Sequence, residues 1–134
     1  MKKIGALLLV ALLTLSVGCG SNASLEKEPE EKGYTTITAE DAKVEMEMEE
    51  PFLILDVRTQ EEYDEGHIPE AVLVSVTDIE DRIESVVPEK SMKLLVYCRS
   101  GNRSQAAAEK LVELGYTNVY DFGGIQNWPY EIVK

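Results

Sequence analysis

The 134-residue chain carries 25 acidic against 13 basic side chains, a formal charge of −12. That length suits one domain, and about 100 residues can bury roughly two-thirds of their surface, enough for a single core. The acidic balance excludes non-specific nucleic-acid binding and adhesion to anionic lipid head groups. With one histidine and two cysteines, no metal site can be assembled from the one His and a single free thiol.

The chain opens with Met1-Lys2-Lys3, a positive n-region, followed by an almost unbroken apolar run from Ile4 to Val17. The run is shorter than the ~20 residues of a spanning helix and fits a signal h-region. Leu15-Ser16-Val17-Gly18-Cys19 resembles a bacterial lipobox, with Ser16 where Leu is commoner. The resemblance implies a lipoprotein signal at 1–18, lipid on Cys19, and a domain held on the extracytoplasmic side of a bacterial membrane. Several acyl chains on one residue would anchor stably, since each buried CH₂ contributes about 0.8 kcal/mol. The alternatives are an ordinary cleaved signal and an uncleaved anchor. Residues 19–33 then form an acidic, flexible linker with Glu26, Glu28, Glu30 and Glu31. Loss of Lys2 and Lys3 leaves 11 basic against 25 acidic residues, a charge of −14. Acylation of Cys19 leaves Cys98 as the only free thiol. The rival is a Cys19–Cys98 disulfide in an oxidising compartment, which would remove the one candidate nucleophile.

A domain is expected over 34–134. Thr35 to Thr38 reads as a short strand, with Thr38 also capping a helix whose third position is Asp41. For Ala39 to about Glu49, Glu and Met content favours a helix over the alternation of Val44, Met46 and Met48. Phe52 to Val57 is a buried strand. Thr59 caps a short acidic helix that stops at Gly66. Ala71 to Val76 reads as a third strand, and Thr77 as the cap of a helix with Ile79, Ile83 and Val86/Val87 on one face, ended by Pro88. Leu94 to Tyr97 is another buried strand. From Ser104 onward Ala107, Leu111 and Leu114 mark one face of a helix ending at Gly115. Asn118 to Phe122 is the last strand, and Trp128 and Ile132 are expected to pack on the core. Alternating strands and helices predict an α/β fold: a parallel sheet of about five strands with helices on both faces.

In such sheets ligands gather at the carboxyl ends of the strands. Asp56/Arg58, Cys98 with its loop, and Gly123-Gly124 all fall there. Asp56 and Arg58 read as an ion pair shaping that edge, and Gly123-Gly124 as a tight turn. Cys98 lies where a strand gives way to a helix N-terminus, whose unpaired N–H groups and dipole favour an anion. Arg99 and Arg103 add positive charge, and turn-like backbone at Gly101 and Asn102 can aim N–H groups at one sulfur. The dipole contributes only roughly 0.3–1 kcal/mol, so an activated thiolate needs those converging amides as well. A positive loop on a negative body points to a small anionic substrate.

Cys98-Arg99-Ser100-Gly101-Asn102-Arg103-Ser104 resembles the active-site loop of the rhodanese (sulfurtransferase) family in its single-domain form. Leu55-Asp56-Val57-Arg58, Glu62-Tyr63 through Gly66-His67-Ile68-Pro69-Glu70-Ala71, and Phe122-Gly123-Gly124-Ile125 with Trp128 resemble further family elements, in the family's order. Glu70 departs from the pattern, which has Gly there. The resemblance implies a three-layer rhodanese-like fold and a Cys98 nucleophile. It also implies donor binding by Arg99, Ser100, Gly101, Asn102, Arg103 and Ser104, and a structural turn at His67. Arg103 stands five positions after Cys98, the shorter loop of sulfurtransferases; phosphatases and arsenate reductases of this fold have one residue more. The implied activity moves sulfane sulfur from a donor such as thiosulfate to a thiol through a Cys98 persulfide, without cofactor or metal. A persulfide carrier or docking module, and a thiol redox protein, are the rivals; the lack of a Cys-x-x-Cys pair weighs against the last.

Overall fold

Residues 32–134 are described by the computed structural model. The signal segment expected at 1–18, Cys19 and all but the end of the linker expected at 19–33 lie outside the described residues. The elements in chain order are β1 (Thr35–Thr36), α1 (Ala39–Glu47), β2 (Phe52–Asp56), α2 (Gln60–Glu65), β3 (Val72–Leu73), α3 (Ile79–Val86), β4 (Lys93–Cys98), α4 (Asn102–Glu113) and β5 (Val119–Gly124). Short 3₁₀ turns precede α3 and follow β5. The strands form one wholly parallel sheet in the order β1-β5-β4-β2-β3.

β4 is the central strand and every residue of it is buried, as its apolar run requires in a sheet covered on both faces. Its side chains alternate between two cores. Leu94, Val96 and Cys98 pack with Ile79 and Ile83 of α3 and with Ala107, Ala108 and Leu111 of α4. Leu95 and Tyr97 pack on the opposite face with Ala42 of α1, Ile68 and Phe122. The result is the expected three-layer α/β fold. Lys93 is the polar exception in β4, and its ammonium pairs with Glu45 and with Glu50 at 2.6 Å.

Both predicted caps are present. Thr38 Oγ1 accepts from Asp41 N at 3.1 Å, and Thr59 Oγ1 from Glu62 N at 3.3 Å. In each box the acidic side chain returns to the cap's own N–H, at 3.4 Å for Asp41 and 3.0 Å for Glu62.

Four local expectations need correction. The strand expected over Ala71 to Val76 pairs as a ladder only at Val72 and Leu73, because it is a sheet edge with β2 alone as neighbour. Thr77 does not cap α3; it lies in the 3₁₀ turn and its hydroxyl donates to Asp78 Oδ1 at 3.3 Å. Gly123 and Gly124 are the end of β5, not a separate turn. Ile132 is 51% exposed, whereas Trp128 does pack against the core on the α1 face. Glu70 has φ 68° and is the one non-glycine residue in the left-handed region among the described residues. The position that resembles a family glycine thus has a glycine's backbone.

Candidate active site

Cys98 closes β4 and Asn102 opens α4, so the connecting loop is only Arg99-Ser100-Gly101. The helix expected from Ser104 begins two residues earlier, so Asn102 and Arg103 join Ser104 in its first turn. The reversal depends on Gly101, whose φ of 108° suits glycine. It turns the Gly101 N–H back to donate to Cys98 Sγ at 3.0 Å.

The loop is fixed from several sides. Ser104 Oγ donates to Gly101 O at 3.0 Å and lies 3.3 Å from Gly123 O. Ser104 is fully buried, so its hydroxyl ties the loop to β5 instead of facing a ligand. Gln126 N donates to Arg99 O at 3.3 Å. A register shift in the β4–β5 ladder pairs Cys98 with Gly124. Gly124 lies so close to the loop that an added Cβ would sit 2.6 Å from the Arg99 carbonyl carbon. Cys98 itself is 0% exposed, so its sulfur lies beneath this loop and not on an open surface.

The two arginines that the sequence treats alike are placed differently. Arg103 makes a two-pronged ion pair with Glu62, Nη1 to Oε2 at 2.7 Å and Nη2 to Oε1 at 2.8 Å. The hydrogen bonds from Arg103 hold the Glu62 carboxyl down at about 2, with the Thr59 N–H assisting. The same contacts raise Arg103 above its ordinary value. Arg99 is exposed and has no ion pair among the described residues. Glu62 is the site residue that sequence reasoning missed: it falls in the stretch that resembles a family element, but nothing local announces a partner 41 positions away.

Asp56 and Arg58 lie behind the site as a buried pair, 0% and 5% exposed. Arg58 Nε meets Oδ1 at 2.9 Å and Nη2 meets Oδ2 at 2.6 Å, while Nη2 also donates to Gly66 O at 2.8 Å. The Tyr97 hydroxyl donates to Asp56 Oδ2 at 2.6 Å and accepts from Ile68 N at 3.2 Å. Burial, then the bond to Asp56, push the Tyr97 phenol well above its usual range, so it remains a donor. This network joins the ends of β2 and β4 to the turn after α2. His67 lies in that turn: its ring stacks on Tyr63 at 3.7 Å, Nδ1 lies 3.0 Å from Tyr63 O, and its backbone pairs with Val133. Ser100 and Asn102 are exposed at the loop's outer side.

The Rhodanese-like domain model matches residues 38–130. The chain belongs to the rhodanese-like domain family. Thiosulfate sulfurtransferase PspE of Escherichia coli is 37% identical over 80 residues, covering 60% of this chain and 77% of PspE. Thiosulfate sulfurtransferase GlpE of Coxiella burnetii is 40% identical over 77 residues, covering 57% of this chain and 70% of GlpE. A solved rhodanese with anions from E. coli superposes with a TM-score of 0.59 at 35% identity, covering 61% of this chain and 96% of that one. The rhodanese-like domain thus has sulfurtransferases among its relatives, which handle a sulfur donor and an acceptor.

Proposed function

We propose that this rhodanese-like domain is a thiosulfate sulfurtransferase-type enzyme working through a persulfide on Cys98. The observation that carries the reading is Cys98 Sγ, held at the strand-to-helix junction by the Gly101 N–H, with Arg99 next to it exposed and without an ion pair among the described residues. The Cys98 thiolate attacks the outer sulfur of thiosulfate. The S–S bond of the donor breaks, sulfite leaves with the electron pair, and Cys98 keeps the sulfur as an anionic persulfide. Amides at the start of α4 and the Gly101 N–H stabilise that anion by fixed orientation. A thiolate acceptor then attacks the terminal sulfur and departs as a persulfide, restoring Cys98. Arg99 binds the sulfonate end of the donor. Arg103, already neutralised by Glu62, positions the loop. Since Cys98 is covered, the lip formed by Arg99, Ser100 and Gly101 moves aside for the donor.

The same burial favours a second reading, a persulfide carrier that shields its sulfur until a partner opens the loop. Thiosulfate:cyanide turnover by the purified protein separates the two. The enzyme predicts turnover that is abolished in Cys98→Ala. Arg99→Ala should raise KM for thiosulfate roughly tenfold through loss of a charged hydrogen bond. Stable sulfur loading without turnover would indicate the carrier. We also propose that the lipobox-like segment places lipid on Cys19 and holds the domain outside a bacterial membrane. Palmitate labelling of cells, lost in Cys19→Ser, tests this.

A further inference from the structure

The ladder between β4 and β5 loses its even step just before the loop. From Val96, which pairs with Asp121, to Cys98, which pairs with Gly124, it advances two residues on β4 and three on β5. The surplus is a bulge, which breaks the ladder locally and re-aims the backbone beside it. Gly123 lies within the bulge, at φ 85°. A Cβ built on Gly101 would stand 3.6 Å from Gly123 Cα, so bulge and loop are in contact. Ser104 Oγ joins them a second time, 3.0 Å from Gly101 O and 3.3 Å from Gly123 O.

One side chain of β5 itself fixes this bulge. Asp121 is 5% exposed, and no step of the proposed chemistry uses it. Its carboxylate has no ion pair among the described residues, and an apolar residue would fill the position without the cost of burying a charge. The carboxylate accepts from Gly123 N at 3.0 Å through Oδ1. A bond of this kind, from Asp to the N–H two residues on, holds a turn in one shape. The contacts then run in sequence: Asp121 to Gly123, Gly123 to Gly101 and Ser104, and the Gly101 N–H to Cys98 Sγ at 3.0 Å.

We propose that Asp121 is a positioning residue for the Cys98 nucleophile: by pinning the β5 bulge it keeps the Gly101 N–H on the sulfur. The proposal rests on the sulfurtransferase reading for what Cys98 does, and adds a residue from outside the loop to the groups on which that reaction depends.

The test compares Asp121→Asn, which keeps an oxygen to accept from Gly123 N, with Asp121→Ala, which does not. Both lose the negative charge, so the difference between them reads the acceptor and not the charge. Sulfur loading from thiosulfate is followed in single turnovers, well below the unfolding temperature of each variant. At saturating thiosulfate Asp121→Ala should load about fivefold more slowly than Asp121→Asn, the size of one hydrogen bond lost from the reacting arrangement. The half-saturating thiosulfate concentration should agree within about twofold, because Arg99 is untouched. A loss of stability alone would move neither quantity in the folded protein. Equal saturating rates in the two variants overturn the proposal, as does a difference confined to half-saturation. Amide hydrogen exchange, followed by NMR, gives a second readout that needs no sulfur transfer. The Gly123 and Gly101 N–H groups should be protected in the wild type, and both should exchange about fivefold faster in Asp121→Ala than in Asp121→Asn. A wild-type Gly123 amide that exchanges like an exposed one overturns the proposal without any variant, and so does equal Gly101 protection in the two variants. Failure of the wild type to load overturns the sulfurtransferase reading instead, and the exchange data still decide whether Asp121 holds the loop.

Discussion

Replacing Gly124 with alanine removes none of the groups assigned to chemistry, yet it should disable the loop. The backbone there has φ −116° and ψ 147°, a region open to any residue, so the only obstacle is space. The new Cβ would stand 2.6 Å from the Arg99 carbonyl carbon and 2.7 Å from Ser100 Cα, against 3.4 Å for ordinary contact. The Arg99 carbonyl oxygen is nearer still, so the loop backbone must retreat by more than about 1 Å to reach that distance, enough to draw Gly101 N away from its 3.0 Å bond to Cys98 Sγ. Overpacking of this kind costs about 1–3 kcal/mol, and a shift of about 1 Å in reacting groups costs on the order of 100-fold in rate. Gly124→Ala should therefore stay folded, with a Tm lowered by roughly 4–8 °C per kcal/mol lost, while sulfur loading from thiosulfate falls about 100-fold. Gly123→Ala is the control. Its φ of 85° makes alanine costly, but its Cβ would meet nothing within 4 Å. It should lose comparable stability and keep loading within a few-fold. Wild-type loading in Gly124→Ala, or equal loss in both variants, would refute the claim that this contact holds the loop in its working position.

Tyr97→Phe removes the donor to Asp56 Oδ2 and the acceptor for Ile68 N, and should cost about 1–3 kcal/mol in urea unfolding; a change near zero would show that the network is not a support of the β2–β4 edge. Glu62, held at about 2 from an ordinary 4.5, contributes stability that is complete above 4.5 and is lost as pH falls through about 2. The stability gap between wild type and Glu62→Gln should accordingly be constant above about pH 5 and close toward about pH 2; a gap independent of pH would contradict the pairing with Arg103. Glu70→Gly relieves a φ of 68° and should stabilise the domain by about 0.5–1 kcal/mol, the left-handed strain less glycine's added chain entropy. Thermal unfolding reads this out, and a destabilised variant would mean that the Glu70 side chain makes up for its backbone.

What could be read from the chain was what local chemistry dictates. The apolar runs at Phe52 and Leu94, each followed by a helix signal, define buried parallel strands, and Thr38, with Asp41 three places on, and Thr59 announce their helices as caps. Cys98 at the end of β4 followed from the change of pattern at Tyr97. What escaped was non-local. Nothing in the segment from Ala71 to Val76 says that it will be an edge, so its strand was drawn too long. The helix likewise begins two residues ahead of Ser104, because Asn102 and Arg103 are polar and carry no apolar signal. The unequal fates of Arg99 and Arg103 depend on Glu62, whose nearness is created only when the fold brings the start of α4 to the start of α2. The same holds for Asp56 and Tyr97, which look unrelated in sequence and are joined by a hydrogen bond across adjacent strands.

Intact-mass analysis of the protein after exposure to thiosulfate, beside Cys98→Ala, tests the central claim most directly. The persulfide account predicts one added sulfur atom on the wild type, removed again by a thiol, and none on the variant. A wild-type mass that stays unchanged, with Cys98 also resistant to alkylation in the folded protein, would contradict it.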